Sequence, residues 1–138
     1  MKRRLVIRFN APVILSFALL SLLALVLGTL TNDATTYRFF SVYRSSLSDP
    51  LTYVRFFGHV LGHAGYEHYM GNMLLLLLVG PGIEEKYGHK TTALCIAITA
   101  LVTGLVQFIF FPTTVLLGAS GVVFMMIVLS SFTEMGKE

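Results

Sequence analysis

The stretch HVLGHAGYEHYMGN, His59 to Asn72, leads directly into the apolar run MLLLLLV, Met73 to Val79. Residues four apart on a helix share a face, so His68 and Asn72 project the same way, with Asn72 about one turn inside the apolar segment. A carboxamide at that depth is costly unless it meets a partner or faces a water-filled cavity. An interhelical hydrogen bond, worth roughly 0.6–2 kcal/mol, is the simpler use of such a group. Chemistry is the other, and the rest of the chain bears on the choice.

Composition places the chain in a bilayer. Its 138 residues are 55% hydrophobic and only 12% charged, whereas soluble domains carry roughly 25% charged residues. The net charge of +3 does not indicate nucleic acid, because Lys2, Arg3, Arg4 and Arg8 stand ahead of the first apolar run, where basic residues report membrane topology. The single cysteine, Cys95, lies in an apolar segment, which excludes an intramolecular disulfide and fits packing.

Apolar runs fall at 11–30, 69–83, 91–111 and 115–132. About 20 helical residues cross the ~30 Å hydrocarbon core, so these are read as four membrane spans. The second is long enough if its helix continues past Pro81 to Lys86. The first is longer than the usual core of a secretory signal and no A-x-A-like site follows it, so it is read as an uncleaved helix. The MKRR start puts the N-terminus in the cytoplasm, the 31–68 connection outside, EEKYGHK inside, FPTT outside and EMGKE inside. Arg38, Arg44 and Arg55 in the outer connection run against that rule, although Asp33, Asp49 and Glu67 accompany them. This topology gives His68, Asn72 and Ser120 the same depth, at the outer ends of the second and fourth spans.

Ser120 sits in LLGASGVVFMM, Leu116 to Met126. Gly118, Ala119, Ser120 and Gly121 are small enough to serve close helix approach alone. As a nucleophile elbow the stretch fails, since the second glycine of G-x-S-x-G is absent and no strand-like segment precedes it. A zinc site from His59 and His63, four residues apart, is a further alternative, but neither H-E-x-x-H nor H-x-x-E-H occurs. Acyl transfer by a serine fits better. Attack on a peptide bond develops an oxyanion, and an imidazole N–H, a carboxamide and a helix-start backbone N–H are donors suited to it. His68, Asn72 and the start of the fourth span supply these three kinds.

The whole arrangement resembles the rhomboid family of intramembrane serine proteases: HVLGHAGYEHYMGN, then GPGIEEKYG, then GASG as the G-x-S-G motif, over about residues 12 to 132. The resemblance implies an all-α polytopic transmembrane bundle, of which the chain holds four helices of a normally six-helix core in a single domain spanning 1–138. It implies Ser120 as nucleophile, with His68, Asn72 and the Ser120 backbone N–H forming the oxyanion hole. His59 and His63 take structural or cavity-lining places. Glu84 with Gly88 matches the family's inner-end motif, and Gln107, after Gly104, a position of the third helix. Arg55 falls where the family has an aromatic-Arg pair, with Val54 in place of the aromatic. Phe124 replaces a tyrosine that stacks on the catalytic histidine in many members.

One element of the family pattern is missing. Rhomboids supply the base from an A-H-x-x-G motif on a later helix, and no histidine follows His89 here. The chain therefore reads as a rhomboid truncated after its fourth helix, without its catalytic base. The expected function is hydrolysis of peptide bonds in or near transmembrane segments; the alternative is a catalytically inactive relative that binds such segments. Expected partners are transmembrane substrates and membrane lipid, with self-association or further C-terminal helices to complete the packing. No cofactor, metal or nucleic acid is expected.

Overall fold

The computed structural model describes residues 10–135. The basic residues Lys2, Arg3, Arg4 and Arg8, and the closing Gly136 to Glu138, lie outside the described residues, and with them most of the charge pattern on which the topology rests.

Helix α1, Pro12–Leu30, starts on a proline, whose missing N–H costs nothing in a first turn. Its N-cap residue, Ala11, has no side chain able to satisfy the next amides. Glu84, some seventy residues later, does so instead, accepting from the Val13 N–H at 3.0 Å and the Ile14 N–H at 2.8 Å.

The connection that follows α1 holds two short helices. These are α2, Ala34–Phe39, and α3, Pro50–Gly58. Asp49 caps α3 through its Oδ1, which accepts from the Leu51 N–H at 3.0 Å. Helix α4, Tyr66–Tyr87, runs through Pro81 as expected, at the cost of the backbone hydrogen bond that a proline nitrogen cannot donate. Gly88, with φ of +90°, separates it from α5, His89–Phe110.

The last apolar run differs from its reading as one span beginning at 115. Helix α6 is Ser120–Met135, and the preceding residues are not helical. Val42 and Leu116 exchange both backbone hydrogen bonds, at 2.9 and 3.0 Å, as an isolated antiparallel bridge. Gly118 then turns the chain with φ of +122°.

Helix α4 is central and packs on α6, α1 and α5. It runs parallel to α6, since Gly118 meets His68 at one end while the Tyr87 and Thr133 hydroxyls are 3.2 Å apart at the other. It runs antiparallel to α1, whose Ile14 fills the space beside Gly80. The shared core includes Ile14, Leu76, Ala100, Val122 and Met126. Helices α1 and α5 are long and apolar enough to cross a membrane, whereas the apolar part of α6, Ser120–Thr133, is shorter. Helix α4 has 22 residues but carries Glu67, Glu84, Glu85 and Lys86 towards its ends.

The buried Glu84 also meets His89 Nδ1 at 2.6 Å, so one carboxylate joins the ends of α1, α4 and α5. Replacing it by alanine strands one buried and one part-buried amide, and Glu84→Ala is expected to lower stability by about 2–3 kcal/mol. Glu84→Gln, which keeps one acceptor, should lose less. Denaturation by sodium dodecyl sulfate in mixed micelles measures both; an unchanged midpoint for Glu84→Ala would refute the cap.

Candidate functional site

The site begins with the connection between α3 and α4. The His59 carbonyl accepts the Gly118 N–H at 2.8 Å, tying this segment to the turn before α6. The His59 ring is buried, and its Nε2 lies 2.8 Å from the Ala100 carbonyl of α5. That pairing makes Nε2 the protonated nitrogen. Gly104 makes room for this packing, since an added Cβ would lie 2.9 Å from the Phe56 carbonyl and 3.2 Å from His59 Nε2.

His63 is also buried and accepts the Ala119 N–H on Nε2 at 3.3 Å. Its ring meets those of His68 and Tyr69 edge-on, with centroids 5.1 and 5.5 Å away. Neither His59 nor His63 joins a set of three or more metal-ligating side chains among the described residues.

His68 and Asn72 lie on one face of α4, both against Gly118. A Cβ there would fall 2.9 Å from His68 Cε1, 3.2 Å from its Nε2 and 3.9 Å from Asn72 Nδ2. The Ala64 N–H approaches His68 Nδ1 at 3.5 Å, a long contact that leaves Nε2 as the N–H facing the turn. The Asn72 amide nitrogen is buried without a hydrogen-bond partner. Buried polar groups are rarely left so, and a donor held free in this way is available to a developing negative charge.

Ser120 is the first residue of α6, where backbone N–H groups have no intrahelical acceptor and the helix dipole is positive. Its side chain is exposed, as is that of Phe124 one turn later. Among the described residues, no hydrogen bond joins the Ser120 hydroxyl to His68 or Asn72. The fold thus brings the expected residues to one end of two parallel helices and leaves the serine facing outward.

Residues 50–137 match the Rhomboid domain family, more than half of the chain. The chain belongs to the rhomboid family. It is also similar to the mouse (Mus musculus) protein named Rhomboid-related protein 2, with 34% identity over 86 residues. The matched region is 56% of this chain and 28% of that relative. Rhomboid domains are helical membrane bundles, and the all-helical architecture with its two long apolar helices agrees.

The other residues matched to rhomboid positions hold the frame. Arg55 is buried; its Nε donates to the Arg38 carbonyl at 2.9 Å, its guanidinium stands 3.6 Å from Asp49 and it covers the Tyr43 ring at 4.7 Å. Gln107 donates to the Thr114 hydroxyl at 2.7 Å, fastening the end of α5 to the segment that leads to Ser120. Three supports were not singled out from sequence: the Ala100 carbonyl, the Val42–Leu116 bridge and Arg44, which donates to the Phe108 and Ile109 carbonyls at 2.8 Å each. Backbone acceptors and bridges carry no residue-type signal.

Gly118→Ala is expected to destabilise the protein by about 1–3 kcal/mol, through its left-handed φ and the Cβ forced against His68. Gly121→Ala is the contrast. Its Cβ would meet Thr103 Cγ2 and Thr99 Cγ2 at an ordinary 3.6 and 3.9 Å, so the helical gain of roughly 0.5–1 kcal/mol should keep it neutral or stabilising. Unfolding of the two variants in the same detergent checks the difference; equal stabilities would contradict the packing of Gly118 against His68.

Proposed function

We propose that this chain carries the nucleophile and oxyanion side of an intramembrane serine endopeptidase acting on peptide bonds in or near transmembrane segments. The observation that carries the reading is the placement of Gly118, two residues ahead of Ser120, against both His68 and the unpartnered Asn72 amide. In this reading the Ser120 Oγ attacks the scissile carbonyl carbon and its proton passes to an imidazole. The carbonyl oxygen becomes the oxyanion, held by His68 Nε2–H, Asn72 Nδ2–H and the Ser120 backbone N–H. Collapse breaks the C–N bond, the imidazole returns the proton to the leaving amine, and water then hydrolyses the acyl-serine ester.

The scheme needs a base that these residues do not provide, because a neutral serine hydroxyl is a weak nucleophile. No histidine follows His89, and His68 is committed to the oxyanion. In this reading the base is an imidazole brought to the exposed face of α6 that carries Ser120 and Phe124. General-base assistance is worth roughly 10²–10⁴-fold, so the 138 residues alone should be nearly inert. Co-expressing the later helices of a rhomboid, carrying A-H-x-x-G, should restore cleavage of a model transmembrane substrate, and Ser120→Ala should abolish it. Binding of that substrate without cleavage in the complemented protein would favour the non-catalytic reading.

The same proposal includes four membrane-crossing helices, an N-terminus in the cytoplasm and Ser120 near the outer face. Single cysteines at Ser46 and Lys137, in a Cys95→Ser background, should react with an impermeant maleimide from opposite sides. Labelling of both from one side would rule out this topology.

A further inference from the structure

We propose that His63 is a positioning residue: its unprotonated Nε2 holds the Ala119 amide and thereby sets the turn that presents Ser120, and protonation of that nitrogen releases the turn. The inference deepens the protease reading above and rests on it for the role of Ser120.

Two hydrogen bonds from the α3–α4 connection grip consecutive amides ahead of the serine. His59 takes the Gly118 N–H through its carbonyl, which no change of pH alters. His63 takes the Ala119 N–H through a ring nitrogen. An imidazole nitrogen accepts only when it carries no proton, so the contact dictates the tautomer with hydrogen on Nδ1. That tautomer has a cost. The buried Nδ1 has no hydrogen-bond partner among the described residues. The ring nevertheless turns Nε2 to the amide, which is expected if holding the turn is its task.

The surroundings favour the neutral ring. His68 and Tyr69 face it from α4, the turn before α6 presents the Ala119 amide, and no ion pair involves His63 among the described residues. Burial, and secondarily the charge of a protonated His68, hold its pKa down at about 4, against an ordinary 6.5. The contribution of the contact is therefore complete above about pH 6.5 and is lost as pH falls from there towards 4.

The test uses the full chain in lipid bicelles with 15N-labelled histidine and alanine, and His63→Gln to assign the ring signal. Below neutral pH the His63 ring should stay neutral with hydrogen on Nδ1, and exchange of the Ala119 amide should accelerate in step with its titration. His63→Gln, which offers a carbonyl oxygen in place of Nε2, should keep Ala119 protected and remove the pH response. His63→Leu should exchange this amide roughly three- to tenfold faster at every pH, the ratio that one net hydrogen bond supports. A ring protonated on Nε2 at neutral pH, or Ala119 exchange unchanged in His63→Leu, would overturn the proposal. Fluorophosphonate labelling of Ser120 in the complemented protein tests the protease reading separately. If Ser120 never labels while Ala119 protection still follows His63, the catalytic reading fails and the hold on the turn stands.

Discussion

The hydrogen bond from the Gly118 N–H to the His59 carbonyl joins two segments that are remote in sequence and makes them one site. It is a backbone contact, so it depends on the fit of its surroundings. His59 is seated by the Ala100 carbonyl, and the seat exists because Gly104 has no side chain. Gly118 needs a positive φ and bare space beside His68. An extra methyl group would press on Phe56 and His59 at Gly104, and on His68 at Gly118.

Around that bond this end of the bundle is fastened in layers. Arg44 occupies carbonyls left free at the end of α5, while Gln107 and the Val42–Leu116 bridge fix the segment approaching Ser120. Arg55 ties together Arg38, Tyr43 and Asp49. These contacts bear on the arginines that seemed to oppose a topology with this end outside. Arg55 is buried and paired and Arg44 is bound to carbonyls, so two of the three act as structural parts of the connection. At the opposite end Glu84 does comparable work for three helices with one carboxylate.

A serine at the start of a helix, a free carboxamide and an imidazole N–H gathered at the end of parallel helices suit the oxyanion chemistry proposed for them. Their cost explains why such a constellation is an economical use of a membrane interior: unpaired donors there are unfavourable, and a fold that keeps Asn72 Nδ2 free has not spent it on packing. The same logic applies to His63, whose Nδ1 goes unpartnered so that Nε2 can hold the turn.

Much of this was legible in residue order. Composition and the spacing of apolar runs determine a helical membrane protein, because burying a backbone in lipid requires its polar groups to be satisfied within each helix. The interval between His68 and Asn72 places them on one face, and the order HVLGHAGYEHYMGN, GPGIEEKYG, GASG identifies the family. Tertiary structure decided what residue type cannot encode. It made Val115 to Ala119 a non-helical approach to α6, gave the α1 cap to Glu84, and turned Gln107 towards Thr114. It also chose the protonated nitrogens of His59 and His63, through a carbonyl of α5 and an amide of the turn before α6. Such choices belong to contacts between distant segments: a carbonyl or amide is present at nearly every position, and only the folded chain determines which one a given side chain meets.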